Sequence, residues 1–175
     1  MKKIIIGADP GHVNFGMWVG EVSVTKSKIQ KIVTLESFMV EDTITDFKKL
    51  DSQYIGFREL LLDLKHEYKP NYCVIERFQN RGSRTGLLAE CIGFMTGVFY
   101  QTFVSNTVNS TEVRLITAAS WKNKVNRVFD LKQEYKQYKS LGPHRMDALL
   151  IGLSVFNNYE FLDYKHRKQL FMNCR

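Results

Sequence analysis

The chain has 175 residues, of which 44% are hydrophobic, and it carries a net charge of +7. This length predicts one domain with a sizeable core, and the positive charge favours a polyanionic partner. No apolar run is long enough to span a bilayer, and Met1-Lys2-Lys3 leads into a strand pattern rather than a signal peptide, so we expect a cytoplasmic protein without membrane contact. The three cysteines have no Cys-x-x-Cys spacing, which indicates reduced thiols rather than zinc ligands.

The first part of the chain contains three strand patterns. They cover residues 3–8, 14–25 and 28–40 and are rich in β-branched and apolar residues. Short polar turns at Asp9-Pro10-Gly11 and Lys26-Ser27 separate them. Connections of this length predict an antiparallel meander.

Helices and strands alternate in the remainder of the chain. The predicted elements are a helix with an apolar stripe from Phe47 to Tyr68, a strand over 71–75 that ends at Glu76, a helix over 85–104, a strand over 112–116, short helices over 118–125 and 131–138, and a last helix from Pro143 to about Asn157. The helix between the fourth and fifth strands makes these two strands parallel. We expect one α/β domain over 1–158 and a basic tail over 159–175.

Charged residues are unevenly distributed along the sequence. Acidic residues outnumber basic ones by eight to four between Glu36 and Glu67, whereas basic residues outnumber acidic ones by eight to two between Arg114 and Arg145. Such a distribution is typical of a protein in which one face contacts phosphates.

Two acidic residues follow predicted strands. Asp9 comes directly after the β-branched run at Ile4-Ile5-Ile6-Gly7-Ala8, and Glu76 ends the fourth strand. If these strands are parallel neighbours, both carboxylates lie at the edge where open α/β sheets bind their ligands. An ionised carboxylate at the end of a buried strand needs a metal, a cation or a turn donor as its partner.

A third acidic residue lies near the start of the last helix. His144 and Asp147 are three positions apart and therefore share one helix face. Each of the four residues alone has a structural explanation, as a turn cap, a surface ion pair, a hydrogen-bonded histidine or a helix-dipole partner. One shared site explains them together. Carboxylates with one imidazole and no thiolate favour Mg²⁺ or Mn²⁺ over zinc.

These residues resemble the RuvC-like Holliday junction resolvases of the ribonuclease H-like superfamily, and look most like phage-encoded versions. The resemblance rests on Gly-x-Asp-Pro-Gly at Gly7–Gly11 and on His-x-x-Asp-Ala at His144–Ala148. The matching segments keep the order of the core elements: Ile4–Gly16, Val74–Glu76, Val113–Lys124 with Ser120-Trp121-Lys122, and Pro143–Leu153. It implies a ribonuclease H-like fold, a mixed five-stranded sheet in which an antiparallel three-stranded meander adjoins parallel strands and helices flank the sheet.

By this resemblance, the chain is a divalent-metal-dependent endonuclease that resolves four-way and other branched DNA in recombination and repair. Paired nicks would leave 5′-phosphate and 3′-hydroxyl ends, and the two-fold symmetry of the junction implies a homodimer, for which the 85–104 helix is the expected face. The expected cofactors are two Mg²⁺ ions per site, replaceable by Mn²⁺, without an organic cofactor. A phage-encoded member would act in the cytoplasm of the bacterial host.

The resemblance also assigns roles to individual residues. The metal-binding catalytic residues would be Asp9, Glu76, His144 and Asp147. The expected DNA contacts are Arg77, Phe78, Arg81, Arg84, Lys122, Lys124 and Lys132.

Two features depart from the family pattern. The aromatic residue expected a few positions after the strand-four glutamate is represented by Phe78, which is offset from that spacing, and the segment between Lys124 and Pro143 is short.

An actin-like or sugar-kinase-like phosphotransferase would need a second Asp-x-Gly and a Gly-Gly adenosine motif, which the sequence lacks. A nuclease acting on RNA–DNA hybrids or structured RNA, and a non-catalytic protein that binds branched DNA, stay open as alternatives.

Overall fold

Six strands form one mixed sheet in the computed structural model of the chain, which describes residues 1–11, 14–26, 28–40, 49–78, 86–104, 111–126, 142–156 and 160–161. The strands are β1 (Lys2–Pro10), β2 (Phe15–Thr25), β3 (Lys28–Val40), β4 (Tyr72–Glu76), β5 (Glu112–Ile116) and β6 (Glu160–Phe161). Their spatial order is β5-β4-β1-β2-β3-β6.

The predicted meander and the predicted parallel strands are both confirmed. Strands β1, β2 and β3 pair antiparallel in sequence order, while β4 pairs parallel with β1 and β5 pairs parallel with β4. The sheet thus contains the five predicted strands and one addition. The addition is β6, which pairs in parallel with Lys28 and Ile29 of β3 and is too short to produce an alternating sequence pattern.

Helices cover the two faces of the sheet. They are α1 (Leu50–Tyr68), α2 (Gly86–Phe103), α3 (Ala118–Asn126) and α4 (Pro143–Leu153), and a 3₁₀ turn at Ser154–Phe156 follows α4. The last helix is therefore shorter than predicted, and the Ser154 hydroxyl, which donates to the carbonyl of Ile151 at 2.6 Å, accompanies the change to 3₁₀ geometry. The predicted helix over 131–138 lies outside the described residues.

Alternate residues of the central strands point into two separate cores. On one face, α1 and α2 pack against Ile6, Ala8 and Met17; on the other, α3 and α4 pack against Ile5 and Trp18. The thiols of Cys73 and Cys91 are buried, as expected for packed thiols, and Cys174 lies outside the described residues. Within the described part of the chain, no helix is sufficiently long and apolar to cross a membrane.

The helix α4 lies directly against the backbone of β1 and β2. A Cβ atom added at Gly7 would lie less than 3.0 Å from the carbonyl oxygen of Ala148, and one added at Gly16 would also lie less than 3.0 Å from the carbonyl oxygen of His144. Only glycine leaves room for this approach. The contact at Gly16 fixes the first turn of α4, and hence His144, beside the end of β1, because Gly16 is the β2 partner of Asp9.

Replacing Gly16 with alanine tests this close packing. We expect Gly16→Ala to lower the free energy of unfolding by about 1–3 kcal/mol, because the added methyl group pushes α4 away from β2. Urea unfolding measures the change. Gly86→Ala is the matched control, since a Cβ at this first residue of α2 would meet no atom of the described residues within 4 Å. Equal destabilisation of both variants would contradict the explanation.

Candidate active site

Asp9 and Glu76 lie at the same edge of the sheet. The parallel register of β1 and β4 pairs Ala8 with Ile75, so the next residues, Asp9 and Glu76, stand side by side at the carboxyl ends of two adjacent strands. The side chain of Asp9 is only 12% exposed, and Glu76 is half-buried. The predicted convergence of these two strand ends is therefore present in the fold.

His144 joins this edge through a hydrogen bond to Asp9. Its Nδ1 lies 2.6 Å from Oδ2 of Asp9, and an ionised Asp9 carboxylate can only accept this hydrogen bond from the ring N–H. Burial raises the pKa of Asp9, while the hydrogen bond to His144 and the electrostatic effects of His144 and Lys122 oppose that rise. A carboxylate bonded to Nδ1–H fixes the tautomer of the ring and leaves Nε2 as the atom that can exchange a proton.

Asp147 lies one helical turn after His144, and its environment disfavours a negative charge. Its Oδ1 is buried and is one of two buried side-chain oxygens without a hydrogen-bond partner in the described part of the chain. Burial raises the pKa of Asp147 from 3.8 to about 7, and the charges of Asp9 and Glu76 contribute to the rise, while Lys122 opposes it. Asp147 is thus close enough to both carboxylates to be repelled by them.

Lys122 is a basic residue close enough to Asp9 and Asp147 to interact with them electrostatically. It is exposed on α3, and its Nζ lies 5.0 Å from the centroid of the Trp121 ring. Its positive charge opposes the rise in the pKa values of both Asp9 and Asp147. The ammonium group therefore borders the acidic cluster.

Trp121 is a residue of this site that the sequence did not reveal. Its side chain is fully buried, and its indole N–H donates to Oε2 of Glu76 at 2.5 Å. In the sequence, the Ser120-Trp121-Lys122 segment indicated only that residues 113–124 form one of the core elements of the family fold. It did not indicate that the tryptophan contacts Glu76, because that contact depends on the orientation of α3.

The chemistry of the cluster fits a hard divalent cation. Asp147 offers a buried oxygen that has no donor among the described residues, and it is repelled by the charges of Asp9 and Glu76, which a cation would offset. Among the described residues, no three histidine, cysteine or carboxylate side chains are close enough to hold a metal ion as they stand. Metal binding would therefore draw these side chains closer together.

The remaining predicted DNA contacts are divided between described and undescribed segments. Arg77 is exposed directly after β4, Phe78 is half-buried, and Lys124 is half-buried on α3. Arg81, Arg84 and Lys132 lie outside the described residues. The described basic residues Arg77 and Lys122 thus adjoin the edge that carries the acidic cluster.

Three solved structures resemble the chain over most of its length. A structure of Thermus thermophilus RuvC has a TM-score of 0.66 and 16% identity, with 87% of this chain and 93% of that chain covered. The chain has the RuvC-type, ribonuclease H-like fold. T. thermophilus RuvC in complex with Holliday junction substrate gives a TM-score of 0.62 and 18% identity with the same coverage.

The third neighbour is the yeast mitochondrial Holliday junction resolvase Ydc2. It has a TM-score of 0.52 and 13% identity, with 87% of this chain and 77% of that chain covered. No family model and no curated protein matches the sequence. The fold class predicted from the sequence is confirmed by these structures.

Asp147 makes the stability of the metal-free protein depend on pH. A carboxyl group whose pKa rises from 3.8 to about 7 on folding stabilises the protein fully at low pH, and this contribution is lost as the pH rises through 7. In a chelating buffer, we expect Asp147→Asn to raise the free energy of unfolding at about pH 8 by roughly 1–3 kcal/mol, with little effect near pH 4. Urea unfolding at both pH values measures the difference.

The control for this prediction is Asp63→Asn, which makes the same change at an exposed position of α1. Its effect on stability should be small at both pH values. A pH-independent effect of Asp147→Asn would contradict the assignment of a buried, mutually repelling carboxyl group.

Proposed function

We propose that the chain is a divalent-metal-dependent endonuclease that resolves four-way and other branched DNA by paired nicks with 5′-phosphate and 3′-hydroxyl ends. The observation that carries the proposal is the convergence of Asp9, Glu76, His144 and Asp147 at one edge of the sheet. One of the structures that share this fold is a RuvC in complex with Holliday junction substrate, which supports branched DNA as the substrate.

The four converging residues would act together on the scissile phosphate. Asp9, Glu76 and Asp147 would hold one or two Mg²⁺ or Mn²⁺ ions through carboxylate oxygens, with His144 as a further ligand or as the partner of Asp9. Such ions supply Lewis acidity, which activates water and offsets the charge of the phosphate. The Asp9 carboxylate orients the His144 ring through Nδ1, so that Nε2 can accept a proton from the attacking water.

Basic residues around the cluster would hold the DNA backbone. Lys122 is exposed and already interacts electrostatically with Asp9 and Asp147, so a phosphate bound beside it would lie next to the acids. Arg77 is exposed where the chain leaves β4, directly after Glu76. Phosphate contacts from these positions would place the DNA backbone at the reactive edge.

A homodimer would supply the two sites that paired nicks on a four-way junction require. The exposed side of α2 carries large hydrophobic side chains at Leu87, Phe94 and Tyr100, which are 56%, 37% and 42% exposed. In the described part of the chain, a Cβ at Gly93 or Gly97 of the same helix would meet no atom within 4 Å. We assign the dimer contact to this face, because exposed apolar surface of this kind marks protein–protein contacts.

Cleavage of a synthetic four-way junction in Mg²⁺ or Mn²⁺ tests the proposed activity. We expect paired symmetric nicks from the wild type, and at least about a hundredfold slower cleavage by Asp9→Asn, because losing a metal ligand removes several kcal/mol of transition-state stabilisation. Junction binding by Asp9→Asn should persist. Asp63→Asn, at an exposed position of α1, is the matched control and should cleave like the wild type.

Parallel substrates distinguish the alternatives. Cleavage of an RNA–DNA hybrid alone would assign the chain to ribonucleases of the same fold. Tight junction binding without cleavage of any substrate would favour a non-catalytic branched-DNA-binding protein. Either result would overturn the proposed activity.

The salt dependence of junction binding tests the role of Lys122. Each phosphate contact releases condensed counterions, so we expect Lys122→Gln to weaken binding and to reduce the slope of log affinity against log salt by about 0.9. Fluorescence anisotropy with a labelled junction at several salt concentrations measures this slope. Lys2→Gln is the control, because Lys2 lies at the opposite end of β1 and is 72% exposed. The same loss of slope in both variants would contradict a local contact at Lys122.

A further inference from the structure

The two tryptophans of the chain make the same type of contact in different places. Trp18 and Trp121 are both fully buried and belong to the same core between the sheet and helices α3 and α4. Trp18 donates its indole N–H to Oγ1 of Thr34 at 3.0 Å, whereas Trp121 donates to Oε2 of Glu76 at 2.5 Å. One tryptophan thus bonds a structural hydroxyl, and the other bonds a carboxylate of the candidate active site.

The backbone around Trp121 fixes the indole relative to β4. Thr117 caps the start of α3, since its Oγ1 accepts from the N–H of Ser120 at 3.3 Å and its carbonyl oxygen accepts from the N–H of Trp121 at 3.1 Å. Thr117 directly follows β5, whose last residue, Ile116, pairs with Glu76. The donor, Trp121, and the acceptor, Glu76, therefore both lie close to the ends of the adjacent strands β5 and β4.

A backbone hydrogen bond fixes the chain on the other side of Glu76. The backbone N–H of Arg77 donates to the carbonyl oxygen of Ile116 at 2.7 Å, so the strand pairing continues past the carboxylate. The Glu76 backbone is thus fixed, and the remaining freedom lies in the rotation of its side chain. A hydrogen bond from a fully buried indole restricts that rotation.

We propose that Trp121 is a positioning residue that restrains the Glu76 carboxylate at the proposed metal site, while the other side chains of the cluster would move toward it on metal binding. This inference rests on the proposed function and adds an outer-shell residue to its metal site. Groups that hydrogen-bond to ligating carboxylates orient them, and their loss typically weakens metal binding by about 10–100-fold. Trp121 would act through Glu76 and would not itself touch the DNA or the metal.

Two variants separate positioning from packing. Trp121→Phe keeps a buried aromatic ring but removes the N–H donor to Glu76, and Trp18→Phe makes the same change in the same core, with Thr34 as the lost partner. We expect both variants to lose comparable stability. Isothermal titration with Mn²⁺ in the absence of DNA should show an affinity about tenfold or more lower for Trp121→Phe alone.

Cleavage at varied metal concentration gives a second readout. A positioning defect is overcome by mass action, so the junction cleavage rate of Trp121→Phe should approach the wild-type rate at saturating Mn²⁺, with its half-maximal concentration raised by about tenfold or more. A packing defect would instead lower the rate at every metal concentration.

Nuclear magnetic resonance of the indole N–H groups tests the inference on the wild-type chain. The two indole resonances are assigned with the phenylalanine variants. Sub-stoichiometric Mn²⁺ should broaden the Trp121 resonance much more than that of Trp18, because only Trp121 contacts a proposed ligand. Glu76→Gln should shift the Trp121 resonance, since its acceptor changes from a carboxylate to an amide.

The outcomes distinguish this inference from the proposed function. Equal Mn²⁺ affinities of Trp121→Phe and Trp18→Phe, with a wild type that binds metal and cleaves junctions, would overturn only the role of Trp121. Equal broadening of both indole resonances would do the same. A wild type that neither binds metal nor cleaves DNA would overturn the proposed function together with the inference that rests on it.

Discussion

The packing of α4 directly on the backbone of β1 and β2 is the constraint on which the site depends. Gly7 and Gly16 leave no room for a side chain between the sheet and the carbonyl oxygens of Ala148 and His144. Asp9 lies directly opposite Gly16 in the β1–β2 ladder and two residues after Gly7. The same contact that closes the core therefore sets the distance at which His144 reaches Asp9, so that core packing and site geometry are one property of the fold.

The acidic cluster opposes the stability that this packing provides. Asp9 and Asp147 are largely withdrawn from water and repel each other, and the structure offers Oδ1 of Asp147 no donor among the described residues. A fold selected for stability alone would place neutral side chains here. Buried carboxylates that repel each other, and so lower the stability gained from core packing, are expected where a protein binds a cation. The bound cation removes the repulsion that is present in the free protein.

The sequence predicted the strand ends well, because short connections between strands determine where each strand ends and how it pairs with the next one. Asp9 and Glu76 follow recognisable strands, and a helix between β4 and β5 predicts parallel pairing. The orientation of α3 could not be predicted, because its buried residues Trp121 and Val125 fit several packing angles, and the Trp121–Glu76 hydrogen bond depends on that angle. The close approach at Gly16 was equally hidden, since a glycine in a strand pattern fits a turn, a bulge or a packed helix.

The division of the helices between the two faces of the sheet limits how DNA and a second subunit could approach. Lys122 lies on α3, on the face that also carries α4, whereas the exposed apolar side chains lie on α2, which packs with α1 on the opposite face. A dimer formed through α2 would therefore leave the α3 side of each acidic cluster open. Two sites open in this way would be available to two strands of one junction, which a monomer could engage only in succession.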